Sequence, residues 1–104
     1  MNGMATESDI REALRQVVDP EIGVNIVDLG LVYRIDLEET RARVVMTMTS
    51  PACPLGDYLK DLVRSAVRSR APDVQDVAVA LVWEPRWNAD MMSEDARRQL
   101  GAGR

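Results

Sequence analysis

A chain of 104 residues, 46% hydrophobic and 29% charged, has the composition of one small domain with a single modest core. No apolar run approaches the roughly 20 residues of a membrane span, and no signal-peptide core is present, so we expect a cytoplasmic protein without a membrane partner. The net charge of −4 argues against a nucleic-acid partner, and the absence of histidine with a single cysteine excludes a Cys/His dyad, an intramolecular disulfide and a Cys/His zinc site within one chain.

Apolar residues at helical spacing predict a first helix from Thr6 to Val18. Thr6 and Asp9 fit a capping box, with the acid in place of the usual Glu. The pair Asp19-Pro20 is expected to end this helix, because a residue before proline avoids the helical region.

Residues 19–30 have neither a helical nor a strand period and are predicted to form a loop, with one helical turn near Ile26 to Leu29. The loop contains three carboxylates, Asp19, Glu21 and Asp28. Loop carboxylates are usually solvated or cap the next element, but Asp28 lies between apolar neighbours and is expected close to the core.

Two alternating segments, residues 31–37 and 42–48, predict an antiparallel hairpin. In this pattern Tyr33 shares the core face with Ile35, whereas Thr47 falls on the other face with Arg43. A helix of about four turns follows, ended by Ala71-Pro72, and then a third strand over residues 77–83. The predicted fold is α+β, an α-β-β-α-β core with a three-stranded sheet covered by helices on one face.

The C-terminal part predicts a short final helix, with Ser93 as N-cap and Gly101 past its end. The apolar residues before it are expected to form a satellite cluster or a dimer surface, with a methionine metal site as the weaker alternative; they are Trp83, Trp87, Met91 and Met92. The chain is therefore interpreted as one domain over residues 1–104, with a core of about 7–84 and a C-terminal extension of 85–104.

The single cysteine, Cys53, stands between the second strand and the second helix. Pro54 fits the first helical position, which makes Cys53 the expected cap, where the helix dipole favours a thiolate. The alternative is a buried, inert cysteine. If Asp28 approaches the thiol, it raises the thiol pKa unless a metal ion or a proton lies between them.

Two motifs then resemble a known family: Asp-Pro-Glu-Ile with Asn-Ile-Val-Asp-Leu-Gly-Leu-Val-Tyr, followed by Met-Thr-Met-Thr-Ser-Pro-Ala-Cys-Pro-Leu-Gly-Asp. They are similar to the small iron–sulfur cluster assembly domains of the SufT-like proteins, the PaaD-like proteins and the eukaryotic cytosolic iron–sulfur targeting factor. The resemblance implies that Cys53 and Asp28 line a shared site, with Asp19, Glu21, Thr49 and Pro54 as supporting members. Gly23 and Ala52 depart from the family pattern, where Pro and Gly are frequent.

The resemblance implies an accessory factor in which Cys53 is a transient ligand to iron or to an iron–sulfur cluster. A two-iron cluster needs four ligands and one chain offers one thiol, so stable binding requires a homodimer, a partner protein or a small thiol. The expected partners are the iron–sulfur assembly machinery and apo-protein clients.

Two other functions remain open. In the first, the protein is an enzyme with Cys53 as nucleophile and Asp28 or Glu21 as base, which requires a carboxylate of strongly raised pKa. In the second, it is an interaction module in which the apolar tail binds a partner and the thiol has no role.

Overall fold

The computed structural model describes residues 6–49 and 56–101. Helix α1 spans Glu7–Leu14 and begins in the predicted capping box. The hydroxyl oxygen of Thr6 accepts a hydrogen bond from the backbone N–H of Asp9 at 3.1 Å, and the Asp9 carboxylate accepts one from the backbone N–H of Thr6 at 3.0 Å. This local signal was sufficient to locate the start of the helix.

The predicted end of this helix at Asp19-Pro20 is wrong, because α1 already stops at Leu14. The backbone carbonyl of Val17 accepts a hydrogen bond from the N–H of Ile26 at 2.9 Å, and Val18 forms an isolated antiparallel bridge with Asn25. The chain therefore leaves the helix to pair with its own following loop. Val18, the last residue of the predicted helix, is 45% exposed.

Strands β1 (Val32–Glu38) and β2 (Arg41–Met46) form the predicted antiparallel hairpin. Val32 pairs with Met46 and Arg34 with Val45, so Tyr33 is the extra residue of a β-bulge. The predicted alternation fails at this residue: the Tyr33 hydroxyl donates to the carbonyl of Pro85 at 2.7 Å instead of entering the core.

Helix α2 (Gly56–Arg70) connects β2 to strand β3 (Asp76–Leu81), which lies parallel to β2 and completes a sheet of order β1-β2-β3. The predicted α+β fold with its α-β-β-α-β order is confirmed. Because β2 and β3 are parallel, their C-terminal ends meet at one edge of the sheet, and the chain leaves this edge to enter α2.

The core lies between one face of the sheet and helices α1 and α2. Its side chains are almost wholly apolar and include Ile10, Leu14, Ile26, Leu29, Leu31, Val44, Met46, Leu59, Val63 and Val67, each fully buried. Thr47, which alternates with Met46 and Met48 in the sequence, is buried as they are, at 1% exposed. Its backbone N–H donates to the Leu31 carbonyl at 2.9 Å, one residue beyond the last paired residue of β2.

Beyond β3 the chain forms a short 3-10 turn, Ala89–Met91, and then helix α3 (Glu94–Gln99). Ser93 is the N-cap, its hydroxyl oxygen accepting from the backbone N–H of Ala96 at 3.1 Å. Gly101 follows the helix with a φ of 71°, as the sequence predicts.

The second face of the sheet presents charged side chains from neighbouring strands, among them Arg34 and Asp36, whose nitrogen and oxygen lie 3.0 Å apart. Within residues 6–49 and 56–101, no helix is long and apolar enough to span a bilayer.

Candidate functional site

Three separate parts of the chain meet at the edge of the sheet where β2 and β3 end. The loop of residues 25–31 is tied to the end of β2 by the bond from Thr47 N–H to the Leu31 carbonyl. The pairing of β3 extends one residue further, since the N–H of Val82 donates to the Met46 carbonyl at 2.8 Å. The C-terminal tail, residues 83–93, then crosses back to the same loop.

Asp28 is the most strongly held carboxylate of this edge, with a side chain only 16% exposed. One carboxylate oxygen accepts a hydrogen bond from the side-chain amide of Asn25 at 2.8 Å, and the other lies 3.1 Å from a guanidinium nitrogen of Arg15. The Asn25 hydrogen bond, opposed by burial and helped by Ser93 and Arg15, lowers the pKa of Asp28. Asp28 is therefore ionised at neutral pH, and its charge is partly balanced by Arg15.

Asp19 and Glu21 lie at the other end of the same loop. The side chain of Asp19 is buried, and its carboxylate accepts a hydrogen bond from the backbone N–H of Glu21 at 2.9 Å. The Asp19 carbonyl also accepts from the N–H of Gly23 at 2.7 Å. This is the geometry of an aspartate that stabilises a turn, whereas the Glu21 side chain is exposed.

A cavity of about 330 Å³ lies between the end of β2 and the tail. The described residues that line it are Thr47, Met48, Thr49, Trp83, Glu84, Arg86 and Trp87. The hydroxyl of Thr47 is buried and forms no hydrogen bond with any residue of the described ranges. Thr49 is half-buried at the cavity wall, so this predicted site residue and Thr47 lie together.

The tail is fixed on the loop by contacts that the sequence did not reveal. The indole N–H of Trp87 donates to the carbonyl of Leu29 at 2.7 Å, and the backbone N–H of Ser93 donates to the carbonyl of Asp28 at the same distance. Gly30, with a φ of +80°, packs so closely that a Cβ added there would lie 2.3 Å from the backbone oxygen of Met91.

Tyr33, on β1, also contacts the C-terminal tail. Its hydroxyl lies 3.6 Å from the sulfur of Met91, in addition to its bond with Pro85. Burial raises the pKa of Tyr33, and the nearby Thr47 hydroxyl opposes this rise although its geometry is not that of a hydrogen bond. Of the four residues of the predicted apolar cluster, Trp87, Met91 and Met92 are partly buried. Trp83 is 41% exposed.

Cys53 and Pro54 lie outside the described residues, so the predicted helix cap is not tested. The described ends of their segment are Thr49 and Gly56. Across the described parts of the chain, no group of three or more Asp, Glu, Cys or His side chains is arranged to hold a metal ion.

Sequence reasoning singled out Asp28 but not the residues that hold its carboxylate or its loop, Arg15, Asn25 and Trp87. Asn25 stands three residues before Asp28, which is the spacing of a local side-chain turn and was a readable signal. Arg15 and Trp87 reach the loop only through the tertiary fold.

Comparison with known proteins identifies close relatives over nearly the whole chain. A family model described as "Iron-sulfur cluster assembly protein" matches residues 7–81. An "Fe-S protein maturation auxiliary factor" of Porphyromonas gingivalis is 46% identical over 99 residues, covering 94% of this chain and 93% of the relative. The "Fe-S protein maturation auxiliary factor YitW" of Bacillus subtilis is 46% identical over 98 residues, covering 93% of this chain and 95% of that protein.

The fold is also similar to that of a solved structure from Bacillus anthracis, described as a domain of unknown function, DUF59. The TM-score is 0.88 at 38% sequence identity, and the match covers 91% of each chain. At this identity and coverage, the solved structure is a relative of this chain in sequence as well as in fold.

Proposed function

Because the chain belongs to the iron–sulfur cluster assembly protein family, we propose that it is an accessory factor for the maturation of iron–sulfur proteins, with Cys53 as a transient thiolate ligand of the transferred iron or cluster. The cluster is cargo in this proposal. Its recipients are apo-protein clients, its source is the assembly machinery, and the transfer takes place in the cytoplasm, where thiols stay reduced.

The observation that carries this proposal is the topology around the single thiol. The segment of residues 50–55 joins Thr49, after the end of β2, to Gly56, where α2 begins. A Cβ on Gly56 would lie 3.7 Å from the Leu81 side chain, so α2 begins beside the end of β3. Open sheets bind ligands outside the C-terminal ends of their parallel strands, which is the edge where Thr49 and Gly56 lie.

The ligand count supports transfer over storage. A two-iron cluster needs four ligands, and each chain has one cysteine and no histidine. A second copy that contributes its own Cys53 supplies half of the set, and a partner protein or a small thiol must supply the rest. We favour a homodimer for any cluster that is held long enough to be isolated.

Asp28 is proposed to support this site as a charged, fixed group, with Asp19, Glu21, Thr49 and Pro54 as further members. Its pairing with Arg15 partly neutralises its charge, which limits the rise it causes in the pKa of a nearby thiol. The same pairing argues against the alternative of a cysteine-dependent enzyme with Asp28 as general base. That reaction needs a raised carboxylate pKa, and the pKa of Asp28 is lowered.

Anaerobic reconstitution with iron and sulfide, followed by visible absorption and native mass spectrometry, tests the role of the thiol. We expect the wild-type protein to become coloured and to gain mass as a dimer, and Cys53→Ser to do neither. The matched control is the double variant Cys53→Ser/Ser65→Cys, which restores one thiol per chain at an exposed position of α2. If the relocated thiol restores the colour, the position of Cys53 has no importance and the proposal fails.

Cells provide the second test. Replacing the natural protein by Cys53→Ser is expected to lower the cluster occupancy of iron–sulfur client enzymes. Unchanged occupancy with normal protein levels would exclude the thiol from the function. A covalent adduct between Cys53 and a metabolite would instead favour the enzyme, and absence of both colour and adduct would favour an interaction module.

A further inference from the structure

We propose that the cavity between Thr47 and Trp87 binds a small sulfur-containing ligand with a zwitterionic amino-acid end, the chemistry of a low-molecular-weight thiol. This inference deepens the proposed function and rests on it for one point only, the use of the ligand's thiolate to complete the ligands of a cluster. Recognition of the ligand is argued from the cavity alone.

The first argument is the polar group that the fold leaves unused. Thr47 lines the cavity, is 1% exposed, and its hydroxyl has no hydrogen-bond partner among the described residues. Buried hydroxyls are normally hydrogen-bonded, and an exception in a native structure calls for an explanation such as a bound ligand. Thr49, on the same wall, adds a second hydroxyl.

The second argument is the charge at the mouth of the cavity. Glu84 and Arg86 both line it and both are exposed. In the described part of the chain neither forms an ion pair, although most of the other arginines there do. An unpaired anion and an unpaired guanidinium, two positions apart, match the ammonium and carboxylate of an amino acid, and arginine suits a carboxylate especially well.

The third argument concerns the apolar part of the ligand. The rings of Trp83 and Trp87 and the buried side chain of Met48 line the remaining wall. Sulfur makes favourable contacts with aromatic rings, so these walls favour a thiol or thioether over a plain polar side chain. The volume of about 330 Å³ lies at the small end of ligand cavities and suits an amino acid or a short peptide.

Titration of the iron-free full chain with thioethers tests the proposal. The indole N–H signals of the two tryptophans are followed by NMR while S-methyl-L-cysteine or S-methylglutathione is added up to about 10 mM. We expect at least one of them to shift both signals, and the better ligand distinguishes a free amino acid from a peptide as the source of the thiol. L-alanine, which lacks sulfur, and 2-(methylthio)ethanol, which lacks both charges, are each expected to bind about tenfold more weakly or less.

The variant Arg86→Gln is expected to weaken binding of the better thioether about tenfold. The matched control is Arg68→Gln, which removes an exposed arginine of α2 that is away from the cavity, and it should bind as the wild type does. Absence of binding, equal binding of either comparison compound, or equal effects of the two arginine variants would overturn the proposal.

The titration contains neither iron nor a reactive thiol in the ligand, so its result does not depend on Cys53. A failure here leaves the proposed function standing, and a failure of the Cys53→Ser experiments leaves ligand recognition by the cavity standing. The two ideas can therefore be rejected separately.

Discussion

The indole nitrogen of Trp87 donates a 2.7 Å hydrogen bond to the backbone carbonyl of Leu29, fifty-eight positions earlier in the chain. Leu29 is fully buried, so its carbonyl has no access to water once the tail is in place. This contact links the C-terminal tail to the loop that holds Asp28.

Replacing Trp87 by Phe is expected to lower the free energy of unfolding by about 1–3 kcal/mol, because the Leu29 carbonyl loses its donor. Urea denaturation measures the change. The control is Trp83→Phe, since Trp83 is 41% exposed and its indole N–H donates no hydrogen bond to any described residue, and it should change stability by less than about 0.5 kcal/mol. Equal losses in the two variants would mean that the indole hydrogen bond contributes nothing.

Replacing Asp28 by Asn is expected to destabilise the protein at pH 7 by about 1–2 kcal/mol, because the part-buried carboxylate loses its charge-assisted hydrogen bonds with the Asn25 amide and with Arg15. The folded-state pKa of Asp28 lies below its ordinary value of 3.8, so the carboxylate stabilises the fold above that pH. This contribution is lost as the pH falls through the folded-state pKa.

The difference between wild type and Asp28→Asn should therefore be full at pH 5–7 and shrink below about pH 4. Thermal unfolding across this range measures it. Asp61→Asn is the control, because Asp61 pairs with Arg64 at a side chain that is 78% exposed, where ion pairs contribute little. A difference that stays constant down to pH 2 would contradict the assignment.

Two glycines separate the effect of backbone strain from that of packing. Gly23 and Gly30 have φ values of +84° and +80°, but an added Cβ meets nothing within 4 Å at Gly23 and overlaps the Met91 backbone at Gly30. Gly23→Ala is expected to destabilise by about 1–2 kcal/mol, the effect of a positive φ alone. Gly30→Ala should destabilise by at least about 2 kcal/mol more, because the tail must move. Equal losses in chemical denaturation would show that the tail adapts freely.

Removing the unpaired hydroxyl of Thr47 is expected to raise the stability of the fold and to weaken ligand binding. Thr47→Val keeps the shape and removes a buried group without a partner, so it should raise the free energy of unfolding by about 1 kcal/mol. If the cavity recognises a ligand, the same variant binds the thioether less tightly, whereas Thr47→Ser retains binding. A variant that is destabilised and binds normally would show that the hydroxyl is satisfied within the fold.

The elements that sequence predicted best are those with local causes. The capping box of Thr6 and Asp9 and the cap at Ser93 depend on residues three positions apart, and both were confirmed. The end of α1 was wrong because the backbone of Val17 pairs with Ile26 of the following loop, and this pairing replaces the expected helical periodicity.

For the candidate site, sequence indicated the carboxylates but not their different environments. Asp19 and Asp28 look alike in the sequence, yet one binds its own turn and the other binds Arg15 of α1. The bulge at Tyr33 also had no local signal, since the Pro85 carbonyl to which its hydroxyl donates lies 52 positions later in the chain.

The absence of a side chain at Gly30 has a mechanical consequence. The Met91 backbone occupies the space that a Cβ of Gly30 would need. Close by, the indole N–H of Trp87 donates to the Leu29 carbonyl and the backbone N–H of Ser93 donates to the Asp28 carbonyl. Lifting the tail would deprive two backbone acceptors of their donors at once, so we expect the tail and the loop to move together. A force applied to the tail would therefore be transmitted to the loop that carries the carboxylate of Asp28.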